Sequence, residues 1–508
     1  MTENTSTENG LEPSGIKRYV PLLVYMIVIL TILCIPLKVI SYGYLPTDDA
    51  LRHAAKAVSG KPWSEILVLG PAYKVDHNFG WHLLLGEIHK TMNWGPEPLV
   101  MVEVVLLFVL LGWAGVPWLR RPEAWLITLL LFAVVGSSFL RFFLGRPFLL
   151  SIAILISILF LWRHRSPNPP GWGVGLGMAA MITVAVFVHG VWYLWTLPLL
   201  AFFLAREYRW AVVFGCSWVT GTLLAAAMTG HPVDYIVGAV NMAVTAFSSH
   251  LTVRTEVSEF QPSNGDFAAL VIFGGLLLLR RLARLKPRPL TANPAFWLMV
   301  VGWVLGFKAI RFWSDWGSPA LLFLVACDVQ TLLQLRFKPD SLKRLGLVAG
   351  LAVTTYLAST NDINSRWTWT LTKTYSYLKQ SDPEVADWLP DKGGIFYSAS
   401  MITFYDTFFK NPHGDWRYIL GYEPAIMPRE DFEVYHKIMW NFGDIKAYQP
   451  WVDKMRRADR LVISAASKPK IPELEWTNAI LGFWVGRLPH GTNAIPVLPV
   501  STNAPAAQ

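Results

Sequence analysis

Long apolar runs alternate with short polar segments from residue 19 to residue 359 of the 508-residue chain. A helix that crosses a bilayer needs roughly 20 mostly apolar residues, and runs of about that length recur along this part of the sequence. The first run lacks a small-x-small cleavage site and is followed by many similar runs, so we expect it to remain as a span. The pattern predicts an α-helical polytopic membrane protein with about 11 transmembrane helices. The predicted spans are 19–40, 98–119, 122–140, 147–162, 172–189, 191–205, 210–229, 267–280, 295–311, 318–335 and 343–359.

The pattern changes near residue 360, where the apolar runs become short and turn residues become frequent. Two short apolar runs predict strands, and three longer periodic runs predict helices. The strands are GGIFYS at 393–398 and DRLVISA at 459–465, and the helices are 401–410, 428–440 and 448–457. We therefore expect a small α/β domain over 360–490. The polar ends, 1–15 and 491–508, are typical of disordered termini.

The basic residues between the predicted spans fall on alternate sides of them and therefore share one face of the membrane. They are Lys17, Arg18, Arg120, Arg121, Arg163, Arg165, Arg206, Arg209 and those of the segments 280–288 and 336–344. Because Lys and Arg concentrate in short cytoplasmic loops, this face is predicted to be cytoplasmic, and the N-terminus with it. Residues 16–359 then form a transmembrane domain with outer loops 41–97 and 230–266. The α/β domain is predicted to be extracytoplasmic.

Composition agrees with a membrane protein and narrows the partners. The chain is 53% hydrophobic and 16% charged, whereas a soluble protein carries about 25% charged residues. The net charge of +9 lies mostly in short loops between apolar runs, so we expect no nucleic-acid partner. The 3 cysteines, Cys34, Cys216 and Cys327, lie in or beside apolar runs without metal-ligand spacing, which excludes a cysteine-based metal site.

An acidic pair follows the first span, in the sequence PTDDALRH at 46–53. Thr47 or Asp48 is expected to cap a helix, and Asp49 favours its first turn. Arg52 and His53 lie one turn further on, within reach of the carboxylates. One interpretation is a capped, salt-bridged surface helix. The other is a reaction centre, in which one carboxylate acts as a base or both bind a divalent metal such as Mg²⁺ or Mn²⁺.

Several basic residues on the predicted outer face contradict the inside-positive bias, and each lies at the end of a span. They are Arg141, Arg146, Lys308 and Arg311, with His189 at the same height. Arginine suits bidentate phosphate binding, and histidine adds a donor or a proton. Snorkelling to lipid headgroups is the alternative. Lys308 and Arg311 are expected on one helix face, with Asp315 able to neutralise Arg311.

The outer loop 41–97 also contains KVDHNFGWHLLLGEIHK at 74–90, with Asp76, His77 and His82. Its apolar spacing predicts an amphipathic helix lying in the membrane interface. The histidine spacing does not match a zinc signature, so an ordinary interfacial helix is favoured over a metal site.

The acidic motif DDALRHA at 48–54, the many spans and the outward C-terminal domain resemble the GT-C superfamily of integral-membrane glycosyltransferases. The segment 383–427, ending NPHGDWRYILGYEPAIM, also looks like the C-terminal domains of bacterial GT-C-like proteins. Members of the superfamily use polyprenyl-phosphate-linked sugars. The sequence itself contains no P-loop, nucleophile elbow or dinucleotide fingerprint. Its cytoplasmic loops are too short to hold a nucleotide-sugar domain, so any donor is expected to be presented within or outside the membrane.

The resemblance implies a transfer of sugar to a glycan, lipid or protein acceptor at the outer face of a bacterial plasma (inner) membrane. Asp48 or Asp49 would act as general base or organise a divalent metal, with no other cofactor expected. The positive groups would hold the donor phosphate, where negative charge grows as it departs. These groups are Arg52, His53, Arg141, Arg146, His189, Lys308 and Arg311. Two alternatives remain: a non-catalytic scaffold for envelope assembly, and a transporter, which the absence of repeated halves disfavours.

Overall fold

The computed structural model describes residues 15–489 apart from 72, 74, 136, 249–258, 260, 264, 286–287, 370–377, 442 and 481. The two ends predicted to be disordered therefore lie outside the described residues, except for Gly15. The chain is mostly helical and carries a small C-terminal sheet. The α-helices before the C-terminal unit are α1 Val20–Ser41, α2 Asp49–Ser59, α3 Trp63–Ile66, α4 Phe79–Met92, α5 Pro96–Trp113, α6 Glu123–Val135, α7 Phe148–Arg165, α8 Trp172–Val188, α9 Thr196–Leu204, α10 Tyr208–Met228, α11 Pro232–Ser248, α12 Phe267–Leu282, α13 Pro294–Gly306, α14 Ile310–Phe312, α15 Ser318–Arg336 and α16 Leu342–Thr360.

Within the described chain, 5 helical segments are long and apolar enough to cross a membrane. They are Lys17–Ser41, Pro96–Trp118, Phe148–Arg165, Tyr208–Met228 and Ile310–Arg336. The predicted count of about 11 spans is not confirmed. Helices do occupy the other predicted spans, but several are short: α9, for example, has 9 residues and extends only about 14 Å along its axis.

The helices pack into one bundle with apolar side chains on its outside as well as inside. α1 packs on α5 and α16, α8 on α10, and α15 on α6 and α13. Val212, Leu223 and Leu357 are more than half exposed, as expected of side chains that face lipid. A buried bidentate ion pair, Arg344 to Glu123 at 2.6 and 2.8 Å, joins α16 to α6.

The predicted outer loop 41–97 folds into helices α2, α3 and α4, which lie against the bundle. α2 packs on α4 and α5. α4 buries Trp81, His82 and Leu85 and exposes Leu83 and Leu84, so the predicted amphipathic helix is present. The second predicted loop, 230–266, differs from expectation because α11 occupies its first half.

The C-terminal unit is built on a 5-stranded sheet with the order β2-β1-β3-β5-β4. Strand β1 pairs in parallel with β2 and with the central strand β3, and the β4–β5 hairpin adds to β3 in antiparallel fashion. The strands are β1 Ile395–Ser398, β2 Arg417–Tyr418, β3 Arg460–Ser464, β4 Glu475–Ile480 and β5 Phe483–Arg487, and the helices are α17 Pro383–Ala386, α18 Met401–Lys410, α19 Arg429–Trp440 and α20 Gln449–Lys454. Both predicted strands and all three predicted helices are present, although the last helix ends at Lys454. The hairpin was not predicted.

Two contacts fix this unit on the outer loop. Leu67 forms a parallel bridge with Tyr418 of β2, and the Val68 N–H donates to the Tyr418 carbonyl at 3.0 Å, so the loop continues the edge of the sheet. α18 also packs directly on α2. The acidic pair that begins α2 therefore lies between the bundle and the C-terminal unit.

A tight turn before α7 allows a close approach to α2. Gly145 has φ +63°, a conformation that L side chains rarely adopt. A Cβ built on it would lie 3.0 Å from the Ala50 Cβ and 3.3 Å from Val104 Cγ2. The next residue, Arg146, is thereby brought within reach of the acidic pair.

We expect Gly145→Ala to destabilise the protein by more than the roughly 1 kcal/mol that left-handed backbone strain costs, because the new methyl group also meets Ala50. Gly60→Ala is the matched control, since Gly60 has the same φ of +63° and no heavy atom within 4 Å of its Cβ position. Thermal unfolding of the two purified variants in detergent measures the difference. Equal losses of stability would show that the close approach of the turn to α2 contributes nothing.

Candidate functional site

Polar side chains from distant parts of the chain meet in one partly open cavity beside the start of α2. The cavity lies where the ends of the bundle helices meet the C-terminal unit. Its lining residues are Asp49, Arg52, His53, His77, Asn78, Arg146, Pro147, Phe148, His189, Gly190, Val191, Tyr193, Ala239, Met242, Glu259, Arg311, Tyr405, Tyr422 and Glu423. Six of the nine site residues predicted from sequence are among them.

The acidic pair is bound by Arg146 rather than exposed on a surface helix. Arg146 Nη2 donates to Asp48 Oδ2 at 2.7 Å, and its Nε lies 3.5 Å from Asp49 Oδ2. Asp48 occupies the N-cap position of α2, as expected, but its side chain makes no capping hydrogen bond. Its carboxylate pairs with the Arg146 guanidinium instead, in a bond in which donor and acceptor are both charged.

Asp49 has further partners on its own helix and on the C-terminal unit. Arg52 Nε donates to Asp49 Oδ1 at 2.6 Å, and the Tyr405 hydroxyl donates to the same oxygen at 3.2 Å. Although burial acts to raise it, the pKa of the Asp49 carboxyl is lowered below its usual range by the charges of Arg52 and Arg146. Asp49 is therefore ionised at neutral pH and is a weak base.

A second set of ion pairs extends the network towards α15. Arg311 Nε binds Asp315 Oδ2 at 3.2 Å, and Arg141 Nη2 binds Asp315 Oδ1 at 2.8 Å. Glu259 pairs with Arg146 and lies 3.8 Å from both Arg141 and Arg311. Asp315 lies in a π-helical turn, Trp313–Gly317, a distortion that is frequent at functional sites.

The acidic pair fits guanidinium groups better than a divalent metal. Mg²⁺ and Mn²⁺ need carboxylate oxygens that are free to coordinate, but Asp48 Oδ2 and both Asp49 oxygens face Arg146, Arg52 and Tyr405. Nowhere in the described ranges do three or more His, Cys, Asp or Glu side chains form a group that could hold a metal. The mechanism proposed below is written with the side chains of this chain alone.

Three buried side chains form a hydrogen-bonded chain that ends at the cavity. Asp76 Oδ2 lies 2.5 Å from His82 Nδ1, and His82 Nε2 lies 2.8 Å from His53 Nδ1. His53 is 1% exposed. Its other ring nitrogen, Nε2, is buried and has no hydrogen-bond partner among the described residues. The His82 ring thus has a partner on each side, whereas His53 keeps one nitrogen free beside the cavity.

His189 also lines the cavity, directly after α8. Its Nε2 is 3.2 Å from Arg311 Nη2. The turn is held by the Gly190 N–H, which donates to the His77 carbonyl at 2.8 Å; a Cβ on Gly190 would meet that same oxygen at 2.8 Å. Close contact between this turn and the outer loop therefore places His189 beside Arg311.

The remaining predicted residues lie outside the cavity lining. Asp48 forms an ion pair with Arg146. Arg141 lies 5.0 Å from the centre of the Phe148 ring and pairs with Asp315. Lys308 is exposed in the turn between α13 and α14. The expectation that it shares a helix face with Arg311 is wrong, because α13 ends at Gly306 and the next helix begins only at Ile310.

Sequence reasoning missed the residues that complete the site. They are Asp76, His82, Glu259, Tyr405, Tyr422 and Glu423. Asp76 and His82 were noticed only as a weak metal pattern, although two polar residues on an otherwise apolar segment could have indicated a buried pair. Tyr405 is 356 positions away from Asp49, and no local pattern indicates such a contact.

Glu423 is the acidic wall of the cavity contributed by the C-terminal unit. Burial raises the pKa of its carboxyl from 4.5 to about 7, although Arg311 opposes the rise. In the unfolded chain the group ionises near its ordinary pKa. Between these two pKa values the folded protein holds a proton that the unfolded chain has lost, so stability falls as pH rises through this window.

Replacing Glu423 with Gln removes this penalty. We expect Glu423→Gln to match the wild type in thermal stability near pH 4.5 and to exceed it increasingly up to about pH 7, above which the difference stays constant. Thermal unfolding across that pH range is the measurement. Glu433→Gln, on an exposed side chain of α19, is the control. A wild type that gains stability relative to Glu423→Gln as pH rises would contradict the raised pKa.

Comparison with protein-family models and with curated proteins finds no match to this chain.

Proposed function

We propose that the protein is a membrane glycosyltransferase that moves a sugar from a polyprenyl-phosphate donor to an extracytoplasmic acceptor. The observation that carries the proposal is the cavity itself, where Arg52, Arg146 and Arg311 converge beside a free histidine nitrogen. Such a site combines groups for binding a phosphate with a group for accepting a proton.

The donor phosphate is proposed to bind the guanidinium groups. Arg52 Nη1 is buried and makes no hydrogen bond to any described residue, so it is a donor without an acceptor. Phosphate oxygens accept such bonds, and positive charge here stabilises the phosphate as it departs with the electrons of the broken bond. Asp48, Asp49 and Glu259 fix the planes of the arginines in advance.

The position of the cavity suits a lipid-linked donor. Arg146 lies two residues before α7, one of the candidate membrane spans, and His189 directly follows α8. Phe148, Val191 and Met242 give the lining an apolar part. A polyprenyl chain in the bilayer would thus place its phosphate at the height of the arginines.

The acceptor is proposed to approach from the side of the C-terminal unit. Tyr405, Tyr422 and Glu423 form that wall, and Arg52 lies 3.9 Å from the centre of the Tyr422 ring. Aromatic rings and carboxylates are suitable contacts for a sugar or another hydroxyl-bearing acceptor. Because Asp49 is held as an ionised partner of arginine, we assign the acidic pair to positioning rather than to proton transfer.

The phosphate assignment is tested with Arg146. We expect Arg146→Ala to lower the rate of transfer roughly 100-fold or more, because the departing phosphate loses a preorganised charge. Arg146→Lys keeps the positive charge but lacks the two-pronged guanidinium, so its rate of transfer is expected to lie between those of the wild type and Arg146→Ala. The assay measures labelled sugar transferred by purified protein from polyprenyl-phosphate hexoses and pentoses to a membrane extract.

Lys308→Ala is the matched control for this experiment. Lys308 carries the same charge as Arg311 and lies three positions before it, but its side chain is exposed and does not line the cavity. Its loss is expected to leave transfer unchanged. The phosphate assignment is wrong if Arg146→Ala transfers like the wild type while remaining folded, as judged by thermal unfolding.

We further propose a bacterial plasma membrane location, with the N-terminus cytoplasmic and the C-terminal unit outside. A fusion of alkaline phosphatase at residue 365 is then expected to be active, and one at residue 340, within the basic segment 336–344, inactive. Fusions of green fluorescent protein at the same two positions should give the opposite result. An active phosphatase at 340 and an inactive one at 365 would reverse the proposed orientation.

A further inference from the structure

We propose that His53 is the proton acceptor of the cavity and that His82 and Asp76 are its positioning residues. The role of His53 in glycosyl transfer rests on the function proposed above. The hydrogen-bonded chain itself is a property of the structure and is tested separately below.

The order of the three groups in the hydrogen-bonded chain, Asp76, His82 and His53, determines which ring nitrogens carry protons. Asp76, an acceptor when ionised, accepts a hydrogen bond from the N–H at His82 Nδ1. His82 Nε2 of the neutral ring is then an acceptor, so His53 Nδ1 must be the donor across the 2.8 Å contact. This leaves His53 Nε2 with a lone pair. That atom is the buried, unpartnered nitrogen on the cavity-lining side chain.

The surroundings keep His53 in the neutral form that can accept a proton. Burial lowers its pKa well below 6.5, and the nearby charges of Arg52, His82, His189 and Arg146 act in the same direction. The pKa of His82 is also lowered by burial, although Asp76 opposes this and Lys56 reinforces it.

Asp76 keeps its negative charge at neutral pH. Burial acts to raise its pKa, but His82, the Asn78 backbone N–H and Lys56 together lower it below the usual range. Asp49 begins the helix that carries His53, but its carboxylate is already paired with two arginines, Arg52 and Arg146. The chain therefore ends in a fixed anion at one side and a neutral imidazole at the other.

The proposed step balances as a direct displacement. The acceptor oxygen forms a bond to the anomeric carbon of the donor sugar as the bond between that carbon and the phosphate oxygen breaks. The electron pair of the broken bond leaves with the phosphate, which the arginines hold. The proton of the acceptor hydroxyl passes to His53 Nε2, and the resulting imidazolium is stabilised through His82 by the negative charge of Asp76.

Of the three described carboxylates that line the cavity, Glu259 is paired with Arg146, which leaves Asp49 and Glu423 as alternatives for this role. Asp49 is weakened as a base by its arginine partners. Glu423 has a suitable pKa of about 7, but no described residue orients its carboxylate by a hydrogen bond of the kind that aligns His53. A general base needs a fixed direction as well as a suitable pKa. His53 has the fixed direction and a ring nitrogen without a partner among the described residues, whereas Glu423 lacks the fixed direction, so Glu423→Gln serves as the comparison variant.

The first experiment compares His53→Ala, Asp76→Asn and Glu423→Gln in the transfer assay with polyprenyl-phosphate hexoses and pentoses. We expect a loss of roughly 100-fold or more for His53→Ala. Added imidazole should restore part of that rate, increasingly as pH rises through the pKa of imidazole. Asp76→Asn should also lose activity, since its amide can donate to His82 Nδ1 and reverse every proton in the chain. His164→Ala, an exposed histidine, is the control.

Rescue by imidazole distinguishes a base from a structural residue, because a misfolded site would not respond to it. His53→Ala with wild-type activity, or a complete loss in Glu423→Gln with none in His53→Ala, overturns the assignment. A loss in His53→Ala without rescue also overturns it, if thermal unfolding shows the variant to be folded.

The second experiment does not depend on activity. Deuterium exchange at the histidine C2 position, read by mass spectrometry across pH, gives the pKa of each histidine in the full-length protein. We expect His53 to titrate well below 6.5 and Asp76→Asn to change the exchange of both His53 and His82. The hydrogen-bonded chain is refuted if His53 titrates near 6.5 or above, or if the exchange of His53 is unchanged in Asp76→Asn. If the wild type transfers no sugar from any donor, the glycosyl-transfer proposal fails while this experiment still decides the chain.

Discussion

The site is organised by the pairing of Arg146 with the acidic residues around it. Its side chain is 12% exposed and lies where the chain meets a candidate membrane span. A guanidinium at that depth is costly unless carboxylates accompany it. Asp48, Asp49 and Glu259 provide them from two separate segments. The turn before α7 and the start of α2 must therefore stay together, and Gly145 permits their close approach.

The C-terminal unit depends on this arrangement and completes it. Its helix α18 packs on α2, so that Tyr405 reaches Asp49, while the outer loop continues the edge of the sheet at Leu67. These contacts make the cavity a shared product of the bundle and the C-terminal unit. A lipid-linked donor from one side and a hydroxyl acceptor from the other would meet there, which is the geometry that the proposed transfer needs.

In the proposed mechanism, the acidic pair and the histidine chain have different roles from those expected from the sequence. A carboxylate beside an arginine is a weak base, because the positive charge of the arginine lowers the pKa of the carboxylate. Asp49 illustrates this effect. His53 is not ion-paired, and His82 and Asp76 hold it in one orientation. Phosphate binding and proton transfer can thus coexist in one cavity.

The sequence by itself determined the local elements: apolar runs predicted the helices, the start of α2 was located at the acidic pair, and GGIFYS and DRLVISA became strands. The pair of Arg52 with Asp49, three positions apart, was also predictable because helical geometry alone brings it together. Only the tertiary structure decided that Lys308 lies outside the cavity lining, that Glu259 and Tyr405 belong to it, and that His53 contacts His82. These side chains are brought together by packing between elements far apart in sequence, and local periodicity carries no information about which elements pack.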